Sequence, residues 1–151
     1  MITLKIGDVA PEFSAINQDG KMINLKDYKG KKVVMYFYPK DNTPGCTTQS
    51  CNLRDNYTLL QKQGYEIFGI SQDPEKSHQK FIEKQSLPFD LISDVDHKVH
   101  HLYGTWDLKK YMGKEYMGTV RTTFVIDEKG MISDVIEKVK TDDHTAQILK
   151  K

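Results

Sequence analysis

The 151-residue chain lacks several features that mark common classes of protein. Its 22 basic and 21 acidic residues nearly balance, so there is no basic excess of the kind that binds nucleic acid. No apolar run reaches the ~20 residues of a membrane helix, and the first residues do not follow the plan of a signal peptide. Only two cysteines occur, and without a secretory signal we interpret them as reduced cytosolic thiols rather than as a structural disulfide.

The order of the predicted elements indicates one α/β domain over residues 1–151. Turn signals within residues 1–30 separate short strand-like pieces, which predicts an N-terminal β extension. The later predicted elements are a strand at 33–38, a helix at 44–62, a strand at 66–71, a helix opened by 73–75 and ended before Pro88, a strand at 89–92, a helix around 96–103, a hairpin of 123–126 with 131–136, and a terminal helix from Asp142 to Lys151. A βαβ unit, a helical connection and a ββα unit follow the order of the thioredoxin-like fold, with a central mixed sheet flanked by helices.

The two cysteines, Cys46 and Cys51, lie five residues apart where a buried strand gives way to a helix. Thr43 is a favourable N-cap and Pro44 suits the first helical position, which puts Cys46 in the first turn. Thr47 is the alternative cap and would leave Cys46 just outside the helix. In either case the free N–H groups and the positive end of the helix favour a thiolate at Cys46. A rotation of about 140° puts Cys51 on a different face of the helix.

The residues Tyr-Pro-Lys-Asp-Asn-Thr-Pro-Gly-Cys-Thr at 38–47 resemble the active-site signature of the peroxiredoxins. Segments 113–118 and 120–127 resemble the bacterioferritin comigratory protein, or peroxiredoxin Q, subfamily, and the likeness covers nearly the whole chain. The resemblance implies a thiol peroxidase that reduces hydrogen peroxide and organic hydroperoxides with electrons from thioredoxin or a similar dithiol protein. It implies neither a metal nor an organic cofactor. We expect a cytoplasmic monomer, with a weak dimer as the alternative.

The resemblance also implies roles for individual residues. Cys46 is the expected nucleophile, and the Thr43 hydroxyl is expected to bridge thiolate and peroxide by donating one hydrogen bond and accepting another. Arg121 would supply a fixed charge that stabilises the thiolate and the transition state. Pro39 is expected to shield the sulfur, or else it only ends the strand. Gln49 stands where many members carry Glu, which leaves open whether this position links to Arg121.

Cys51 is predicted to resolve the sulfenic acid of Cys46 as an intramolecular disulfide, because a sulfenic acid condenses readily with a thiol and the chain has no other. In an ideal helix, Cα atoms five residues apart are separated by about 8.7 Å. A disulfide needs a separation within about 7 Å, so the first turns must unwind for the bond to form. The alternative is a one-cysteine enzyme in which Cys51 is merely packed.

Two other functions fit a thioredoxin-like fold. A dithiol oxidoreductase normally has Cys-x-x-Cys and a cis-proline before the third core strand, whereas this chain has Cys-x4-Cys and Thr122. A non-catalytic binding module would be expected to lose Cys46, Thr43 or Arg121, and all three are present. Both comparisons favour the peroxidase.

The remaining polar and aromatic clusters predict no further site. The aromatic stretch from 103 to 118 is interpreted as loop packing, part of which could rim the pocket. Three neighbouring histidines have no further ligands nearby, so no metal site is predicted. All five histidines are expected at the surface: His78, His97, His100, His101 and His144.

Overall fold

The computed structural model describes residues 2–150, so Met1 and Lys151, which begin the predicted extension and end the predicted terminal helix, lie outside the described residues. A 3-10 turn at Leu25–Tyr28 accompanies the regular elements. These are β1 (Ser14–Ile16), β2 (Met22–Asn24), β3 (Lys32–Phe37), α1 (Pro44–Asp55), α2 (Tyr57–Lys62), β4 (Tyr65–Ser71), α3 (Glu75–Gln85), β5 (Asp90–Ser93), α4 (Lys98–Tyr103), β6 (Trp106–Tyr111), β7 (Lys114–Thr119), β8 (Thr122–Ile126), β9 (Ile132–Ile136) and α5 (His144–Leu149). Within residues 2–150, no helix has the length and apolar character needed to cross a bilayer.

The central sheet has five strands in the order β5-β4-β3-β8-β9. Strands β3, β4 and β5 are parallel neighbours, whereas β8 is antiparallel to both β3 and β9. This mixed sheet confirms the predicted thioredoxin-like fold. Strands β1 and β2 form a separate antiparallel pair, which is the predicted N-terminal β extension.

Strand β3 is central and buried on both faces, as its β-branched and aromatic run predicts. Because successive side chains point to opposite faces, Met35 and Phe37 enter one hydrophobic cluster, and Val34 and Tyr36 enter the other. The second cluster also contains Cys46. The face of the sheet that carries Tyr36 therefore forms the floor beneath the cysteine.

Tyr36 fixes α1 on this face of the sheet. Its hydroxyl lies 2.9 Å from Ser50 Oγ on α1. The ring passes over β4 at Gly69, where a Cβ would lie 2.8 Å from the Tyr36 ring and hydroxyl, so only glycine leaves room for it. Burial raises the pKa of Tyr36, and the phenol stays protonated.

The predicted helix over 44–62 is in fact two helices, α1 and α2, and the single-helix prediction was wrong at Asn56. The side-chain amide of Asn56 donates to the Asn52 carbonyl at 2.8 Å. That carbonyl is the one a continuous helix would offer to the Asn56 N–H, which instead donates to the Leu53 carbonyl at 3.3 Å. The side chain has replaced the backbone donor, and the helix ends there.

The loop predicted over 103–118 contains a β-hairpin, which corrects the sequence interpretation. Strands β6 and β7 pair antiparallel over their full length. The turn between them has Met112 at φ 52° and Gly113 at φ 79°. Two successive left-handed residues define a type I′ hairpin turn, usually signalled by Asn-Gly rather than Met-Gly.

Three histidines predicted at the surface are buried. His78, His100 and His144 are each 0% exposed, whereas His97 is half-buried and His101 is exposed. A buried imidazole is tolerated when its nitrogens find partners, and each of these rings has two. The partners are Asp41 and the Ile92 carbonyl for His78, Asp94 and Thr119 for His100, and Thr123 and Gln147 for His144.

Candidate active site at the start of the first helix

Cys46 lies in the first turn of α1, as predicted. Thr43 is the N-cap residue in an extended conformation and Pro44 opens the helix. Thr47, the alternative cap, is inside the helix and donates its N–H to the Thr43 carbonyl at 2.9 Å. Cys46 itself is only 1% exposed. The thiol therefore lies between the helix start and the sheet, screened from bulk water.

The start of the helix offers backbone donors near this sulfur. The hydrogen bond from the Thr47 N–H to the Thr43 carbonyl belongs to the first turn of α1, and the N–H groups of Gly45 and Cys46 come before it in the chain. N–H groups in a first turn have no partner within the helix and point out of its N-terminus. A Cβ on Gly45 would lie 3.4 Å from Arg121 Nη2. A Cβ there would already be in van der Waals contact with the guanidinium, so the start of the helix lies close against Arg121.

Arg121 is the cation beside the cysteine. It directly precedes β8, whose antiparallel pairing with β3 brings it next to the start of α1. Its Nη2 lies 3.1 Å from Cys46 Sγ. Its Nη1 donates to Gln49 Oε1, so glutamine makes the link that the sequence left open. The planar guanidinium thus spans two residues one turn apart on α1, which fixes its orientation.

Lys109 is a second cation at the site, and the sequence analysis missed it because its hairpin was not predicted. Its Nζ donates to the Thr119 carbonyl at 2.9 Å. Burial lowers the pKa of Lys109 and the charge of Arg121 lowers it further, while Cys46 opposes the shift. Lys109 is therefore within electrostatic range of both groups.

Thr43 and Pro39 lie on the connection from β3 to α1. The Thr43 hydroxyl donates to the Lys40 carbonyl at 2.9 Å, so its proton is committed and its oxygen is left as an acceptor. Tyr38 makes the sheet-extending bond from its N–H to the Ile70 carbonyl at 3.0 Å. Pro39 follows directly and is half-buried.

Cys51 lies on another face of α1, as predicted. It is half-buried, and its thiol lies 3.4 Å from Gln85 Oε1 at the end of α3. Both cysteines are free thiols. The next residue, Asn52, ties this end of α1 to α5: its amide donates to the Asp142 carbonyl at 3.1 Å, and its Oδ1 accepts from the Thr145 N–H at 2.8 Å.

A buried polar network anchors the connection between β3 and α1. Asp41, Asp73 and His78 have ligand-type atoms within 4.8 Å of one another, the one such group within residues 2–150. His78 Nδ1 lies 2.8 Å from Asp41 Oδ2, and its Nε2 lies 3.0 Å from the Ile92 carbonyl. Both ring nitrogens therefore have a hydrogen-bond partner, and His78 and Asp41 form a buried pair at salt-bridge distance. The geometry is that of an internal pair, whose nitrogens are not free for a metal.

Comparison with known proteins places this chain in a family. Residues 6–135 match the model of the AhpC/TSA family. The chain is 48% identical over 148 residues to a putative peroxiredoxin bcp of Coxiella burnetii, covering 98% of each chain. It is 47% identical over 149 residues to peroxiredoxin Bcp of Escherichia coli, covering 99% of this chain and 96% of that one. The chain belongs to the peroxiredoxins of the AhpC/TSA family.

A solved relative confirms the fold of this peroxiredoxin. The bacterioferritin comigratory protein of Xanthomonas campestris, from a study of its alkyl peroxide reduction, superposes with a TM-score of 0.88 at 31% identity. The match covers 99% of this chain and 96% of that one. The resemblance seen in the sequence is therefore confirmed, and the peroxiredoxin is a thiol peroxidase.

Proposed function

We propose that Cys46 is the nucleophile that attacks peroxide, and that hydrogen peroxide and organic hydroperoxides are both substrates. The Cys46 thiolate attacks one peroxide oxygen, the O–O bond breaks, and the other oxygen leaves with a proton as water or alcohol. Cys46 becomes a sulfenic acid. The observation that carries this proposal is the 3.1 Å contact between Arg121 Nη2 and the buried Cys46 sulfur.

The surrounding donors suit the charge of that transition state. Negative charge spreads over the sulfur and both oxygens, so fixed donors aimed at them supply the main stabilisation. Arg121 would stabilise the sulfur and the attacked oxygen, together with the free N–H groups at the start of α1. Thr43 would accept a hydrogen bond from the peroxide O–H, because its own proton is directed to Lys40. This differs from the predicted bridge, in which Thr43 also donates.

Cys51 would then resolve the sulfenic acid. Its thiol attacks the Cys46 sulfur, an S–S bond forms as the S–O bond breaks, and the oxygen takes up the thiol proton and leaves as water, after which a dithiol protein such as thioredoxin reduces the disulfide. The two thiols lie on different faces of one intact helix, so this step requires α1 to unwind. Pro39, in this scheme, limits water around the sulfur.

The hairpin beside the site supports a role for organic hydroperoxides. Tyr116 is paired with Lys109 across β6 and β7, so both side chains lie on one face of the hairpin. The Lys109 ammonium is 6.0 Å from the centre of the Tyr116 ring, and Tyr116 is 46% exposed. An exposed aromatic ring next to the cations offers apolar surface to the organic part of a hydroperoxide.

The wider setting of the enzyme is proposed on the same basis. We expect the whole chain to act as one domain, because both hydrophobic clusters pack on one sheet. Two free thiols suit a reducing compartment such as the cytoplasm. The proposed working state is a monomer that meets thioredoxin transiently.

The test is peroxide consumption with thioredoxin and thioredoxin reductase, using hydrogen peroxide and a bulky hydroperoxide in parallel. Cys46→Ser is expected to abolish consumption, since a serine hydroxyl is not ionised at neutral pH. Cys51→Ser is the matched control, expected to consume about one equivalent of peroxide and then stop. Residual turnover of Cys46→Ser near the wild-type rate would refute the assignment. After one equivalent of peroxide, mass spectrometry should find a crosslink between Cys46 and Cys51 within one chain.

A further inference from the structure

A chain of three buried polar residues lies outside the reacting groups. His100 Nδ1 is 2.6 Å from Asp94 Oδ2, and His100 Nε2 is 2.9 Å from Thr119 Oγ1. Their exposed fractions are 2% for Asp94, 0% for His100 and 2% for Thr119. Burying polar groups costs free energy unless they are hydrogen-bonded, and here each is bonded to the next.

At one end, Asp94 is fixed to the start of α4. Its Oδ1 accepts from the Val99 N–H at 3.1 Å and its Oδ2 from the His100 N–H at 2.8 Å. Burial alone would raise the pKa of Asp94, but the hydrogen bonds from the His100 ring and from these N–H groups lower it, so the carboxylate is ionised. An ionised carboxylate only accepts, so His100 Nδ1 carries a proton and Nε2 is turned toward Thr119.

At the other end, Thr119 is two residues before Arg121. Its carbonyl accepts from Lys109 Nζ at 2.9 Å, and the following Val120 N–H donates to the Thr105 carbonyl at 2.7 Å. The main chain entering Arg121 is thus held by several bonds, and the Thr119 side chain is the one that joins it to α4. The Arg121 side chain then reaches Cys46 Sγ.

We propose that Asp94, His100 and Thr119 are positioning residues that set the place of Arg121 relative to the Cys46 sulfur. This rests on the proposed function, in which Arg121 stabilises the peroxide transition state. Preorganised charge is effective only at the right distance, and a displacement of about 1 Å can cost about a hundredfold in rate. Asp94, His100 and Thr119 contact neither the sulfur nor the peroxide, and they act through Arg121 alone.

The test is a double-mutant cycle on the second-order rate constant of Cys46 oxidation by hydrogen peroxide, followed in a single turnover. Thr119→Val keeps the shape and removes the hydroxyl, and is expected to lower the rate constant about tenfold. In an Arg121→Ala background the same change should cost less than about twofold, because the group through which it acts is gone. Thr119→Ser, which restores the hydroxyl, should return the rate to within about threefold of wild type.

A purely structural role would give different results. It would lower the rate by the same factor in both backgrounds, and that outcome overturns the proposal, as does an unchanged rate in Thr119→Val. Ser133→Ala is the matched control, because it removes a hydroxyl on β9 that donates to the Val125 carbonyl and makes no bond to Thr119 or Arg121, and it should leave the rate unchanged. If Thr119→Val does not fold, the same cycle with His100→Gln decides by the same criteria. Wild-type turnover and its loss in Cys46→Ser test the proposed function separately.

Discussion

The unwinding of α1 can be tested by changing the stability of the helix while leaving the reacting groups in place. Thr47 and Thr48 lie between the two cysteines, and Thr48 is exposed. Thr48 also donates its hydroxyl to the Pro44 carbonyl at 2.9 Å, a back-bond that adds little to helix stability. Each Thr→Ala change should stabilise the helix by about 0.5 kcal/mol, so the double variant gains about 1 kcal/mol.

The expected effect is on the second chemical step. If resolution requires an unwound α1, about 1 kcal/mol lowers the population of that state, and the rate of disulfide formation, by about fivefold. The reaction of Cys46 with peroxide should be unchanged. Because unresolved sulfenic acid is open to further oxidation, the ratio of sulfinic acid to disulfide after a pulse of excess peroxide should rise by the same factor. Mass spectrometry of the Cys46 peptide measures this ratio.

A variant that destabilises α1 is expected to have the opposite effect. Asn52→Ala removes two hydrogen bonds to the region of α5, worth about 1 kcal/mol each. The better helix propensity of alanine returns about 0.5 kcal/mol, which leaves α1 easier to unwind by about 1.5 kcal/mol. Resolution should then be about tenfold faster, with less sulfinic acid. Equal ratios in wild type, Thr47→Ala/Thr48→Ala and Asn52→Ala would refute the reasoning that unwinding of α1 controls resolution.

Three further predictions follow from single contacts. Arg121→Lys keeps the charge but loses the two-pronged contact, and should slow the stopped-flow reaction of Cys46 with peroxide about a hundredfold; a rate within twofold of wild type would contradict this. His78→Leu leaves the Asp41 carboxylate buried and without its partner, and should lower the free energy of unfolding in urea by about 3–5 kcal/mol. Adding Asp41→Asn should restore part of this loss, and an unchanged urea midpoint in His78→Leu would rule out the pair. Burial lowers the pKa of His144, so as the pH falls the unfolded chain binds this proton before the folded chain does. The stability that the His144 side chain contributes is therefore complete above about pH 6.5 and is lost as the pH falls below that value. Urea midpoints at pH 7.5 and 5.5 should show a smaller difference in His144→Gln than in wild type, and equal differences would contradict the assignment.

The position of Cys46 could be predicted because its signals are local. The apolar run of β3, the N-cap Thr43 and Pro44 at the first helical position together define where the strand ends and the helix begins. These preferences depend on neighbouring residues only. These signals predicted Cys46 in the first turn of the helix that follows β3, and the structure confirms this position.

The buried histidines could not be predicted because their partners are remote. His78 pairs with Asp41, 37 residues away in sequence, and His100 bonds Thr119 across the hairpin that was missed. The neighbouring residues in sequence do not contain these partners, so a local window gives no sign that the histidines are buried. Lys109 was missed for the same reason, since its contact to the Thr119 carbonyl exists only once β6 and β7 pair.

One helix has to satisfy two opposed requirements in this enzyme. In the proposed mechanism a folded first turn supplies the donors that stabilise the Cys46 thiolate, whereas resolution needs the same turn to open. The residues of α1 suit a helix that forms only with tertiary support, because threonine, serine and asparagine are weak helix formers. The break at Asn56 gives the opening a natural limit, since α2 begins a new run of helical bonds and Leu60 within it is fully buried. We therefore expect amide exchange to accelerate in α1 on oxidation while α2 keeps its protection, so the unwinding moves Cys51 without exposing the core beneath α2.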